Sequence, residues 1–76
     1  MPDNKSMIGA EFIRRVRKLG RKNGVVVDFV PVQGKGSHGA LYYADQRTTV
    51  KDRKKDLSKG LFHAMCKQLG IDANEL

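Results

Sequence analysis

One cysteine, two prolines and only eight acidic side chains set the first limits on this 76-residue chain. The lone Cys66 excludes an internal disulfide, and with only two histidines beside it there are too few ligands for a structural zinc cage. No apolar stretch approaches the roughly 18 residues of a membrane span, and Met1-Pro2-Asp3-Asn4-Lys5 is not a secretory leader. These absences predict a cytoplasmic protein held together by packing, with no metal, cofactor or membrane partner. The shortage of acid has the opposite effect on charge. Fifteen Lys and Arg leave a net +7 and an isoelectric point near 9.9, which attracts polyanions such as nucleic acid or an acidic protein. A chain this short has surface for one hydrophobic core, so residues 1–76 are expected to form a single domain, with 1–6 a loose arm and 72–76 a short terminal turn.

Ile8, Phe12, Ile13, Val16 and Leu19 recur at helical spacing, and cations fill the remaining surface. Ser6 is the expected N-cap of this first helix, and Gly20 or Gly24 its end. Val25 to Val32 is a β-branched run interrupted by Pro31, as suits a strand at an edge. Ala40–Ala44 and Arg47–Lys51 read as two further strands around an Asp45-Gln46 turn. A charged connection, 52–59, leads to a second helix capped by Ser58 and closed by Gly70, with Leu57, Leu61, Ala64, Met65 and Leu69 as its buried side. Asp72 is placed to cap a last turn. The order α-β-β-β-α predicts an α+β fold, a three-stranded antiparallel sheet with both helices on one face.

Two segments can carry chemistry. The first is Gly34-Lys35-Gly36-Ser37-His38-Gly39, between the first two strands. Its glycine spacing matches dinucleotide loops formally, but those open a helix inside a βαβ unit, and here a strand follows. A kinase-type glycine loop does lie between strands, yet the rest of that enzyme has no room in this chain. The run is therefore read as a tight strand-to-strand bend that gathers Lys35, Ser37 and His38, with the Gly36 and Ser37 N–H groups available to a phosphate. An imidazole titrates near neutral pH and can move a proton there. The second segment is Lys51-Asp52-Arg53-Lys54-Lys55-Asp56-Leu57-Ser58-Lys59-Gly60, a cationic approach to a helix N-terminus. Unpaired N–H groups and a positive dipole end make that position a phosphate clamp; a solvated linker, partly neutralised by Asp52 and Asp56, is the alternative. The cations of the first helix are read as solubilising. His63 and Cys66 make a poor metal pair, and of Tyr42 and Tyr43, which face opposite ways, one is expected beneath a helix and the other available to a base or partner.

The Gly-Ser-His turn, the strands after it, Lys54-Lys55-Asp56-Leu57-Ser58-Lys59-Gly60 and Cys66-Lys67-Gln68-Leu69-Gly70-Ile71 together resemble the HicA toxin family, in the family's order and over most of the chain. The resemblance implies a fold like the double-stranded RNA-binding domain, activity as a translation-blocking mRNA interferase, and neutralisation by a HicB-type antitoxin. The family's histidine after Gly-Ser falls on His38, the preceding glycine on Gly36, and its Lys-Gly at the last helix on Lys59-Gly60. Where many relatives carry a second histidine this chain has Gly39, which leaves His38 as the candidate catalytic residue; Ser58 stands where many have proline. Lys35, Gly36, Ser37, Lys54, Lys55 and Lys59 are the candidate contacts to RNA phosphate. A non-catalytic RNA-binding module and a pure protein-interaction module are the competing readings.

Overall fold

The computed structural model describes residues 7–34 and 38–76, and its elements follow the expected order with two short strands added. They are β1 (Met7–Ile8), α1 (Gly9–Asn23), β2 (Val27–Pro31), β3 (Gly39–Tyr43), β4 (Gln46–Val50), β5 (Asp56–Leu57) and α2 (Lys59–Leu69), followed by a 3₁₀ turn over Ala73–Glu75. Strands β2, β3 and β4 form an antiparallel meander, and β1 and β5 form a separate two-residue ladder, Met7 opposite Leu57 and Ile8 opposite Asp56. The α+β arrangement resembling the double-stranded RNA-binding domain is thus present, and the small second ladder is what periodicity missed.

Alternation along β3 decides which face is covered. Gly39, Leu41 and Tyr43 are buried while Ala40 and Tyr42 are half-buried, and Thr48 and Val50 are the buried positions of β4. Against that inner face α1 lays Phe12, Ile13, Val16 and Leu19, and α2 lays Met65, Cys66 and Leu69. The helices meet where the Phe12 and Phe62 rings pack edge to face, centroids 5.8 Å apart. Polar groups on this inner face are satisfied. Thr48, 2 % exposed, donates its hydroxyl to Gln68 Oε1 on α2, and Asn23 Nδ2 donates to the Tyr43 hydroxyl at 3.0 Å. Tyr43 is therefore the tyrosine beneath the helices. Tyr42 lies on the opposite, open face, where it lines a shallow groove with Val26, Asp28, Val30 and Ala44.

Several boundaries differ from the pattern-based expectation, each for a local reason. Helix α1 begins at Gly9 behind an extended Ile8 whose side chain makes no cap, so Ile8 is a strand residue, 38 % exposed, and not part of the helix's apolar stripe. Ser6, the expected cap, lies outside the described residues. The cap is supplied from elsewhere: Gly9 N–H donates to the Lys55 carbonyl (3.1 Å) and Ala10 N–H to the Arg53 carbonyl (2.9 Å). At the other end Gly24, with φ 70°, closes α1, while Gly20 is buried inside the helix. The β3–β4 turn is centred on Ala44 and Asp45, Ala44 taking φ 59°, and Gln46 already pairs with Tyr43. In α2 the buried side is Met65, Cys66 and Leu69; Leu61 and Ala64 are exposed, and Leu57 reaches the core from β5. Ser58, Gly70 and Asp72 cap as expected: Ser58 Oγ accepts from Leu61 N–H (3.1 Å), Gly70 is left-handed, and Asp72 Oδ1 accepts from Asn74 N–H (2.9 Å).

The contact between α1 and the loop after β4 admits no side chain at residue 9. A Cβ built there would lie 2.8 Å from the Asp52 carbonyl oxygen and 2.9 Å from Arg53 Cα, both backbone atoms that cannot swing aside. The gain in helix propensity from alanine is at most about 1 kcal/mol, and forced overpacking costs about 1–3 kcal/mol. Gly9→Ala is therefore expected to lower the urea midpoint; a raised midpoint would contradict this packing.

Candidate functional site

Strand register brings the two candidate segments to one end of the sheet. Gly39 is the first residue of the middle strand, with Pro31 opposite it on one side and Val50 on the other. His38 therefore leaves the sheet at the end where β4 runs into Lys51–Lys55. Its backbone is fixed there, since the His38 carbonyl accepts from Val32 N–H at 2.9 Å, one step beyond Pro31, which has no N–H to give. The side chain of His38 is exposed. Gly34 turns the chain with φ 79°, a conformation that glycine adopts without steric cost. Lys35, Gly36 and Ser37 lie outside the described residues.

The close approach at Gly39 has a specific partner. The tip of the Phe29 ring covers it so tightly that a Cβ at residue 39 would sit 2.2 Å from Phe29 Cζ. Phe29 in turn carries the Arg53 guanidinium, whose carbon is 5.2 Å from the ring centroid. Arg53 belongs to a built turn. Asp52 Oδ1 accepts from Lys54 N–H at 2.9 Å, and the Arg53 and Lys55 carbonyls cap α1. Lys54 and Lys55 are exposed on this turn, and among the described residues no ion pair or side-chain hydrogen bond holds their ammonium groups. Lys59 opens α2 just behind Ser58, on a different element from Gly34 and His38, and is likewise exposed. Ser58 satisfies Leu61 N–H, while the Lys59 and Gly60 N–H groups have no intrahelical carbonyl within reach.

Other charged groups stand apart. On α1, Glu11 holds both Arg14 and Arg15, and Arg15 also donates to the Leu76 carbonyl oxygen at 3.0 Å. The hydrogen bonds from Arg14, then Arg15, lower the Glu11 carboxyl from 4.5 to about 2. Cys66 is buried in the core and His63 exposed, its ring edge-on to Phe62 at 5.4 Å, so the two do not share a site. Burial raises the pKa of the Cys66 thiol, and the negative charge of Asp72 adds to the rise. Among the described residues no three His, Cys, Asp or Glu side chains gather as a metal centre would require, and no helix is long and apolar enough to cross a membrane. Arg53 is the residue that sequence reasoning left among the general cations: its neighbours in the chain are equally basic, and its distinction comes from Phe29, which lies far from it in sequence.

The chain is a small basic α+β domain, with two helices on one face of a three-stranded antiparallel sheet and a cationic loop at the end of the sheet where Gly39 begins. The family model for the HicA toxin of bacterial toxin–antitoxin systems matches residues 9–71. The chain belongs to the HicA toxin family. No curated protein and no solved structure matches it.

The low Glu11 carboxyl has a pH consequence of definite sign. A carboxyl held below its ordinary value when folded adds stability that is complete above about pH 4.5 and disappears as pH falls toward about 2. Glu11→Gln is expected to be less stable than the parent at pH 6, with the gap closing between pH 4.5 and 2 in thermal melts. A gap independent of pH would place its origin outside the ion pairs.

Proposed function

We propose that this HicA-family toxin is an endoribonuclease that cleaves mRNA without a metal ion and so blocks translation, with His38 as its catalytic residue. The observation that supports it most directly is the exposed imidazole at the root of the Gly-Ser-His turn, at the same sheet end as the Lys51–Lys55 loop, in a chain of this family. RNA supplies its own nucleophile. The ribose 2′-hydroxyl attacks the adjacent phosphorus, the bond to the 5′-oxygen breaks, and a 2′,3′-cyclic phosphate and a 5′-hydroxyl result. One proton leaves the 2′-oxygen and one reaches the departing 5′-oxygen. An imidazole serves either transfer at neutral pH, and His38 carries one of them.

The cations divide the remaining work. Lys35 and Lys59 offset the charge that builds on the phosphorane, and the Gly36 and Ser37 N–H groups with the Ser37 hydroxyl seat the phosphate. Lys54 and Lys55 hold the flanking backbone as mobile charges, consistent with their exposure. The N-terminus of α2 adds the Lys59 and Gly60 N–H groups, which have no intrahelical carbonyl, to this surface. The substrate places the toxin in the cytoplasm, and a HicB-type antitoxin neutralises it by covering the His38 turn and the basic loop.

His38→Ala is expected to reduce cleavage of a defined RNA in EDTA by roughly 10²- to 10⁴-fold while RNA affinity and melting temperature stay close to the parent's. Full cleavage by the purified variant would sink the assignment and favour a non-catalytic RNA-binding module. Replacing Lys54 and Lys55 together should weaken binding to all RNA sequences alike and flatten its dependence on salt by about two phosphate contacts; an unchanged slope would remove both from the contact surface.

A further inference from the structure

Four cations stand between Lys51 and Lys55, and one of them is built into the fold. Lys51, Lys54 and Lys55 are exposed, whereas Arg53 is half-buried. Its carbonyl is fixed by Ala10 N–H and its guanidinium lies over the Phe29 ring, 5.2 Å from the centroid. The tip of the same ring is pressed against Gly39. This chain of contacts, Arg53 to Phe29 to Gly39, ends one residue from His38.

A guanidinium held against an aromatic ring is attracted by its charge, which leaves its N–H donors for other acceptors. Among the described residues no carboxylate pairs with Arg53; its neighbour Asp52 accepts the Lys54 N–H instead. The result is a positioned, partly desolvated and uncompensated fork of donors. Such a group matches the paired oxygens of a phosphodiester, and it loses less freedom on binding than a lysine on a mobile stem.

We infer that Arg53 grips a backbone phosphate of the RNA beside the His38 turn, and that Phe29 is its positioning residue. The inference rests on the reading of that turn as an RNA-cleaving site and adds to it the contact that sets the register of the strand. Phe29 touches both Gly39 and Arg53, so a single ring fixes the spacing between the cation and the start of the histidine turn.

The test uses the whole chain and an oligonucleotide of 2′-O-methyl RNA, which presents phosphates but has no hydroxyl to attack, with single-turnover cleavage of the unmodified oligonucleotide measured in parallel. Arg53→Ala is expected to lose roughly ten- to hundredfold in affinity for the 2′-O-methyl strand, against roughly two- to fivefold for Lys54→Ala. Arg53→Lys should recover only a minor part of the loss, because it restores charge without the fork. Phe29→Leu, which leaves the arginine in place, should fall between parent and Arg53→Ala, with thermal melts confirming that each variant is folded. Equal losses for Arg53→Ala and Lys54→Ala, or parent-like binding by Arg53→Lys, would overturn the inference and leave Arg53 as one diffuse charge among several. A parent that binds but never cuts unmodified RNA refutes the nuclease reading, while the ranking of the variants still decides the role of Arg53. Absence of any binding at low salt overturns both.

Discussion

The structure depends on two backbone hydrogen bonds, from Gly9 and Ala10 at the start of α1 to the carbonyls of Lys55 and Arg53. A helix N-terminus needs acceptors for its first N–H groups, and side chains usually provide them; here a loop more than forty residues downstream does so. The other features at this corner follow. Residue 9 must lack a side chain because the loop backbone lies against it. Ile8, left extended in front of the helix, pairs with Asp56, and that pairing carries Leu57 into the core just before Ser58 starts α2. The same contact that caps one helix thus sets where the other begins.

It also organises charge. The polar interior is small and satisfied, with Thr48 bonded to Gln68 and Tyr43 to Asn23. On α1, Glu11 compensates Arg14 and Arg15 locally. The cations after β4 have no such compensation among the described residues, and the turn that carries them is held rigidly by Asp52 and by α1. A protein that needs to attract a polyanion benefits from leaving its cations unpaired on a stiff support, since no internal ion pair must then be broken on binding.

How much of this was legible in the sequence depends on the range of the interaction involved. Ser58, Gly70 and Asp72 cap their own neighbours, so three-residue patterns reveal them. The inner and outer residues of β3 follow from strict alternation. Ser6 has the residue type of a helix cap, but no local signal marks a cap that comes from a distant loop. Strands β1 and β5 have two residues each, too short to show a period, and exist because Met7 and Ile8 meet Asp56 and Leu57 in space. The apolarity of Leu61 points to the buried side of α2, yet the helix turns Phe62 toward Phe12 and leaves Leu61 43 % exposed. At the candidate site, His38 and the lysine run could be read directly from motif and charge. Arg53 could not be separated from its basic neighbours until Phe29 was in place.

The β1–β5 ladder has an entropic side as well. The β2–β3 and β3–β4 hairpins join neighbours in the chain and close short loops, whereas pairing Met7 with Leu57 closes a loop of about fifty residues for two pairs of partners. The entropy of that closure is recovered only when both helices are already docked. The two-residue ladder beside the cationic turn therefore owes its stability to the helices packed around it and not to its own length.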